Sequence, residues 1–219
     1  MLCKLITKTD YPTISVKDNR KDVEVQLDSL HINAIPLLDG NKFLGVVSRN
    51  ILQIRKEENL VDLLAGLAPE WVAEDDHVFR ALRLMANQRA PIVAVHSKDG
   101  EYVGVVTVED LIPAVATLLG MEDAPSGSIT IEMDRNDYSF GELARLVETN
   151  DADIVQLNTY MEKETGLFVI NMKISREDVS DVVATLQRYD YHIRYYFGQE
   201  SYENELKSNY DALINYLNI

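Results

Sequence analysis

"GVVSRNIL" (residues 45–52) and "GVVTVEDL" (residues 104–111) are two versions of one element. Each leaves an apolar strand, presents a hydroxyl (Ser48, Thr107) and opens a helix. The copies part at one position, where the second carries Asp110 and the first carries Ile51. Extended outward, "PTISVKDNRKDVEVQLDSLHINAIPLLDGNKFLGVVSRNIL" (12–52) matches "PEWVAEDDHVFRALRLMANQRAPIVAVHSKDGEYVGVVTVEDLI" (69–112). Pro12 falls against Pro69, Val23 against Val78, Pro36 against Pro91, and Asp39-Gly40 against Asp99-Gly100. Self-similarity over this length means that one supersecondary unit is built twice.

The pattern within each copy is β-α-β-β-α. A short extended run (13–16; 71–73) ends at acidic turn residues, and a helix follows. Val23, Leu27 and Leu30 are spaced for one helical face, matched by Val78, Leu82 and Met85. "IPLL" or "PIVAV" reads as a strand, Asp-Gly marks the turn, and "FLGVV" or "YVGVV" returns as its hairpin partner. A closing helix is expected over 50–64 and over 108–119. Each opening proline begins its strand, where a missing N–H is tolerated.

"MEDAPSGS" (121–128) reads as a linker. Beyond it, "ITIEM" alternates as a strand, and Ser139 with Glu142 three residues on forms a capping-box pattern. "ADIVQLNTYMEKETGLFVINMKI" predicts two strands, "SREDVSDVVATLQRYD" a capped helix and "YHIRYYF" a last strand. This β-α-β-β-α-β order is ferredoxin-like. Tyr202, Leu206, Tyr210, Leu213 and Leu217 then fall three or four apart, the spacing of an amphipathic C-terminal helix.

The 219 residues carry 21 basic against 36 acidic side chains, a net charge of −15. That balance argues against nucleic acid or an anionic membrane as partner, because a phosphate backbone needs a basic track. Cys3 stands alone, which excludes an intrachain disulfide and a cysteine metal cluster; it reads as a small, half-buried apolar residue. The apolar run in "MLCKLITKTD" is too short for a signal-peptide core, and the expected location is cytoplasmic. His31, His77, His96 and His192 show no metal-ligand spacing, and no nucleophile-elbow, Walker or dinucleotide glycine motif occurs. The acidic clusters at 74–76 and 151–153 read as loop or helix-cap acids. No enzymatic activity and no required cofactor are expected.

Thr107 and Asp110 carry the chemistry. A helix beginning at Val108 has free N–H groups, so a phosphate can sit there with the Thr107 hydroxyl as an added donor. An ionised Asp110 accepts two hydrogen bonds, which suits the adjacent hydroxyls of a ribose. Gly104 permits close backbone approach. The same two residues also read as an N-cap and a first-turn acid favourable to the helix dipole. Both readings stand at this level. In the first copy, Ser48 keeps the cap while Ile51 accepts nothing. Ribose hydroxyls buried against Ile51 would be left unpaired, at about 1–3 kcal/mol each.

The tandem unit, with its two "GVVS/T" ends, resembles a CBS-domain pair (a Bateman module) over residues 12–120. With "EMDRNDYSFGELARLV", "ADIVQL" and "YDYHIRYYF", the segment 128–197 resembles an ACT domain, and the combination resembles bacterial acetoin-utilization-type CBS proteins. The implied class is α/β and α+β. A CBS pair occupies 1–120 (repeats 12–64 and 69–120), a linker 121–127, an ACT-like domain 128–197 and a C-terminal helix 198–219. The chain departs from the CBS pattern in its short links between Leu30 and Pro36 and between Met85 and Pro91.

The resemblance implies a regulatory protein that binds an adenosyl ligand: AMP, ADP, ATP or S-adenosylmethionine. "GVVTVED" matches the family's G-h-x-[ST]-x-x-D element, which places Thr107 and Asp110 on phosphate and ribose. Base contacts are implied for Thr13, Ile14 and Ala34 of the other repeat and for Val105. Ser48, Arg49 and Ile51 mark a degenerate second pocket. A homodimer is implied, with the C-terminal helix packing on its own chain or on a protein target. In the ACT-like part, Asp134 is followed by Asp137 where amino-acid-binding relatives carry a glycine, which favours dimerisation over amino-acid capture. The competing reading is a ligand-free dimeric scaffold, and a third is an enzyme whose site does not align.

Overall fold

The computed structural model describes residues 1–121 and 125–198 and divides into two compact units, 1–118 and 119–219. The expected C-terminal helix lies outside the described residues. Among the described residues, no helix is long and apolar enough to cross a membrane.

The first unit holds two three-stranded sheets of the same plan. In the first copy, β1 (Ile14–Ser15) runs parallel to β2 (Ala34–Asp39), which pairs antiparallel with β3 (Lys42–Ser48). Gly40, at φ +60°, supplies the left-handed residue of the tight turn between β2 and β3. In the second copy, β4 (Trp71–Ala73), β5 (Ile92–His96) and β6 (Tyr102–Thr107) repeat the order. The expected β-α-β-β-α plan holds in both.

Helix α1 (Arg20–Ser29) is capped by Asn19 and buries Val23 and Leu27. Leu30, expected on the same face, is its exposed C-cap. In α4 (Val78–Gln88), Val78, Ala81 and Met85 face the core and Leu82 is exposed. The inward stripe therefore falls on the small residue rather than on its larger neighbour, so Leu82 is a correction.

The helix expected over 50–64 is broken. It forms α2 (Arg49–Ile54) and α3 (Leu60–Leu63), with Arg55 extended between them. "RKEEN" (55–59) offers no apolar residue to a core, and Asn59 caps the restart through Val61 and Asp62 N–H. The Arg20 guanidinium donates to the carbonyls of Leu52, Arg55 and Glu57, satisfying the groups the break exposes. The second copy has one closing helix, α5 (Val108–Leu118).

Residues 1–8 pack on the second copy. Cys3 N–H donates to Asp76 O (2.8 Å) and Lys4 N–H to Glu74 O (2.9 Å). The Cys3 side chain is wholly inside the core with Val72, Val78, Ala81, Val93 and Val106, more deeply than its half-buried reading. Burial raises its thiol pKa to about 11. Asp75 takes Lys4 and Lys98 together, and those hydrogen bonds lower its carboxyl to about 2.

The second unit is a four-stranded antiparallel sheet in the order β10-β7-β9-β8: β7 (Gly127–Met133), β8 (Ile154–Met161), β9 (Phe168–Ile174) and β10 (His192–Phe197). Helices α6 (Phe140–Glu148) and α7 (Ser180–Arg188) share one core with it, including Ile129, Ile131, Leu143, Ile170 and Leu186. This is the ferredoxin-like arrangement. Ser139 caps α6 by accepting Glu142 N–H, as its spacing predicts. Ser175 does not cap α7; it accepts Asp153 N–H, and Asp178 accepts Ser180 N–H instead.

Candidate functional site

Strand β6 ends at Thr107 because Val108 N–H closes the last pairing on Pro91 O (3.0 Å), after which α5 begins. Thr107 is buried. Its hydroxyl donates to Asp110 Oδ2 at 2.6 Å and accepts Asp110 N–H at 3.3 Å. The two residues form the reciprocal cap that their spacing allows. The Asp110 side chain stays 28% exposed, and Lys8 Nζ lies 3.1 Å from the same Oδ2.

Lys8 was not among the residues singled out by sequence. Its N–H donates to Val105 O (2.8 Å) and its carbonyl accepts Val105 N–H (3.1 Å), so residues 7–9 line the free edge of β6. Gly104 makes this possible: a Cβ there would collide with the Lys8 carbonyl. The close approach that Gly104 permits is thus the chain's own. Nearby, Tyr11 Oη donates to Ala34 O at 3.0 Å. Burial, with the charge of Glu109, pushes the Tyr11 phenol pKa up.

Ala34 and Val105 meet in one cluster with Ile92, packed by Tyr11, Val46 and Tyr102, which joins the two copies. Ile14 lies apart, fully buried in the first copy's core, with Thr13 exposed beside it. Of the six residues assigned to the adenosyl ligand, the structure joins Thr107 to Asp110 and Ala34 to Val105.

In the first copy, Ser48 accepts Ile51 N–H at 3.2 Å, the counterpart of the Thr107–Asp110 cap. Arg49 is committed locally. Its guanidinium donates to Leu27 O (2.7 Å), to Ile32 O (3.0 Å) and to Asp28, closing the C-terminal end of α1. Arg49→Ala is expected to destabilise the protein by about 1–3 kcal/mol, measured by urea unfolding. Arg49→Lys should recover only part, because an ammonium lacks the planar fork.

A cavity of about 780 Å³ opens on this side, between the copies. It is lined by Gly45, Ser48 and Ile51, by Leu64, Gly66, Leu67, Ala68 and Pro69, and by Gln88, Arg89, Ala90 and Pro91. Its origin is legible when the repeat is carried upstream of its prolines. At the spacing that sets Pro12 against Pro69, Lys8 corresponds to Ala65 and Tyr11 to Ala68. Tyr11 packs where the two copies join, and its counterpart Ala68 leaves a methyl group in the lining of the cavity. Neither of the two described cavities is lined by Thr107 or Asp110.

In the second unit, Asp134 caps a short turn at Arg135–Asp137 by accepting Asn136 N–H. Arg135 lies over the Phe168 ring at 4.5 Å. Arg194 bridges Glu132 (2.6 Å) and Glu162 (2.7 Å), and its hydrogen bonds hold Glu162 down at about 2. Among the described residues, no group of three or more His, Cys, Asp or Glu could hold a metal ion.

The chain is similar to a CBS domain pair/ACT domain protein from Thermotoga maritima, at 20% identity over 54% of this chain and 99% of the other, TM-score 0.48. It is similar to CBSX2 in complex with AMP, at 16% identity over 53% and 97%, TM-score 0.46. It is also similar to the CBS domain of the bacterial CNNM/CorC family Mg2+ transporter in complex with ATP, at 15% identity over 53% and 87%, TM-score 0.45. Residues 67–117, which hold β4, α4, β5, β6 and all but the last residue of α5, match the model of the CBS domain family.

Proposed function

We propose that this is a regulatory protein whose tandem CBS repeats (12–64 and 69–120) bind an adenosyl ligand at Thr107 and Asp110. Binding shifts dimer packing, and the ACT-like domain at 128–197 passes the change on. The observation that carries the reading is the Thr107–Asp110 pair itself: a carboxylate part-open to solvent, held at 2.6 Å by a buried hydroxyl. It lies within the segment that matches the CBS domain family. Asp110 Oδ1 has no protein donor among the described residues, so one carboxylate oxygen stands ready for a ribose hydroxyl. Exposed Phe79 and Leu82 on α4 and Ile112 on α5 support a homodimer through the second repeat.

A ligand acts only through different affinities for two states. Isothermal titration of the full chain with AMP, ADP, ATP and S-adenosylmethionine tests this, with saturation expected near one ligand per chain. Silence with all four would remove the sensor reading.

A specific observation favours the second reading, a ligand-free scaffold. Ile14, Ala34 and Val105 are fully buried by the chain itself, and Lys8 already neutralises Asp110. On that reading the Thr107 turn is a helix cap and nothing more.

A further inference from the structure

We infer that Lys8 selects the ligand of the Asp110 site, favouring adenosyl compounds that carry a phosphate over the cationic S-adenosylmethionine. The inference rests on the proposed adenosyl site and names its ligand class more narrowly.

Three observations carry it. First, the lysine's backbone is fixed while its end is free to move. Both backbone hydrogen bonds to Val105 anchor the residue, yet its side chain is 45% exposed on a flexible four-carbon stem. Among the described residues, Lys8 is the cation within 4 Å of Asp110. Second, the surroundings are acidic. Glu109 precedes Asp110 and acts on Tyr11, so a phosphate arriving here without a cation would meet two carboxylates. Ribose hydroxyls that donate to Asp110 replace the charge partner it has in Lys8. The ammonium then turns to the phosphate, where a point charge with three donors binds well. A sulfonium in the same place would face a displaced ammonium.

Third, the two copies keep or lose the pair together. In the copy where Ile51 replaces the carboxylate, the offset that sets Pro12 against Pro69 sets Ala65 against Lys8.

The test is titration of the full chain with adenosine, AMP and S-adenosylmethionine, in the native protein and in Lys8→Met and Lys8→Arg. Met keeps the length of the stem and removes the charge. AMP affinity is expected to fall about 10- to 100-fold in Lys8→Met, with adenosine unchanged or tighter. Lys8→Arg should stay within about threefold of native for AMP. The native protein should bind AMP more tightly than S-adenosylmethionine, and Lys8→Met should narrow that gap. Equal loss for adenosine and AMP, or unchanged AMP binding in Lys8→Met, would overturn the role of Lys8 and leave the adenosyl site standing. A native protein that binds neither adenosine nor AMP would instead overturn the site, and this inference with it.

Discussion

Replacing Asp110 with alanine is expected to weaken AMP binding at least about 30-fold while leaving the fold intact. On the proposed reading the carboxylate would accept two ribose hydroxyls, and each hydroxyl buried without a partner costs about 1–3 kcal/mol. The stability lost with it is about 1–3 kcal/mol at most, chiefly because the buried Thr107 hydroxyl loses its acceptor. The backbone N–H of residue 110 still reaches Thr107 Oγ1, so the cap survives. The ion pair that disappears is part-exposed on both sides, and such pairs contribute about 0–1 kcal/mol. Asp110→Asn keeps one acceptor and should fall between. Titration measures the affinity and thermal unfolding checks the fold. If Asp110→Ala binds like the native chain, the ligand sits elsewhere, and the cavity beside Ser48 and Ile51 becomes the place to look.

Gly104→Ala should cost about 2–4 kcal/mol, a large effect for a single added methyl group. The new Cβ would strike backbone, the Lys8 carbonyl, which cannot rotate out of the way. Relief requires Lys8 to leave Val105, breaking both hydrogen bonds of the pair. It also loosens an arm whose Cys3 lies in the core of the second copy. Trp71 is the chain's one tryptophan and sits on β4 of that copy, so its fluorescence during urea unfolding reports the effect locally. Gly141→Ala is the control. Nothing lies within 4 Å of its added Cβ, and in α6 the change should stabilise by roughly 0.5–1 kcal/mol. Equal midpoints for Gly104→Ala and native protein would mean that the arm does not rest on β6.

The parts of the molecule legible in sequence are those governed by neighbours along the chain. Ser139 and Ser48 cap the helices their spacing announces, and Gly40 turns the hairpin where Asp-Gly stands. The break after Ile54 was also written locally, in a charged run with no apolar residue, but helical periodicity on both sides masked it. Ala81 displaced Leu82 from the core because size says little about which face of a helix turns inward. Thr107 and Asp110 were legible as a pair, since a helix start brings residues three apart together. Lys8 and Tyr11 were not, because they reach their partners by pairing with a distant strand edge. The one signal available was the repeat itself, continued past Pro12 and Pro69 into residues where the two copies differ.

That pairing also sets an order of events in the making of the protein. Residues 1–11 leave the ribosome long before Val105 and Asp110 do, so the arm has no edge to join while the first copy folds. Its docking is a late step that waits for most of the second copy. Until then, β6 presents unpaired N–H and C=O groups of the kind that recruit a strand from another molecule. A newly made chain is therefore most prone to associate wrongly in the interval between closing its second hairpin and docking residues 1–8 on β6.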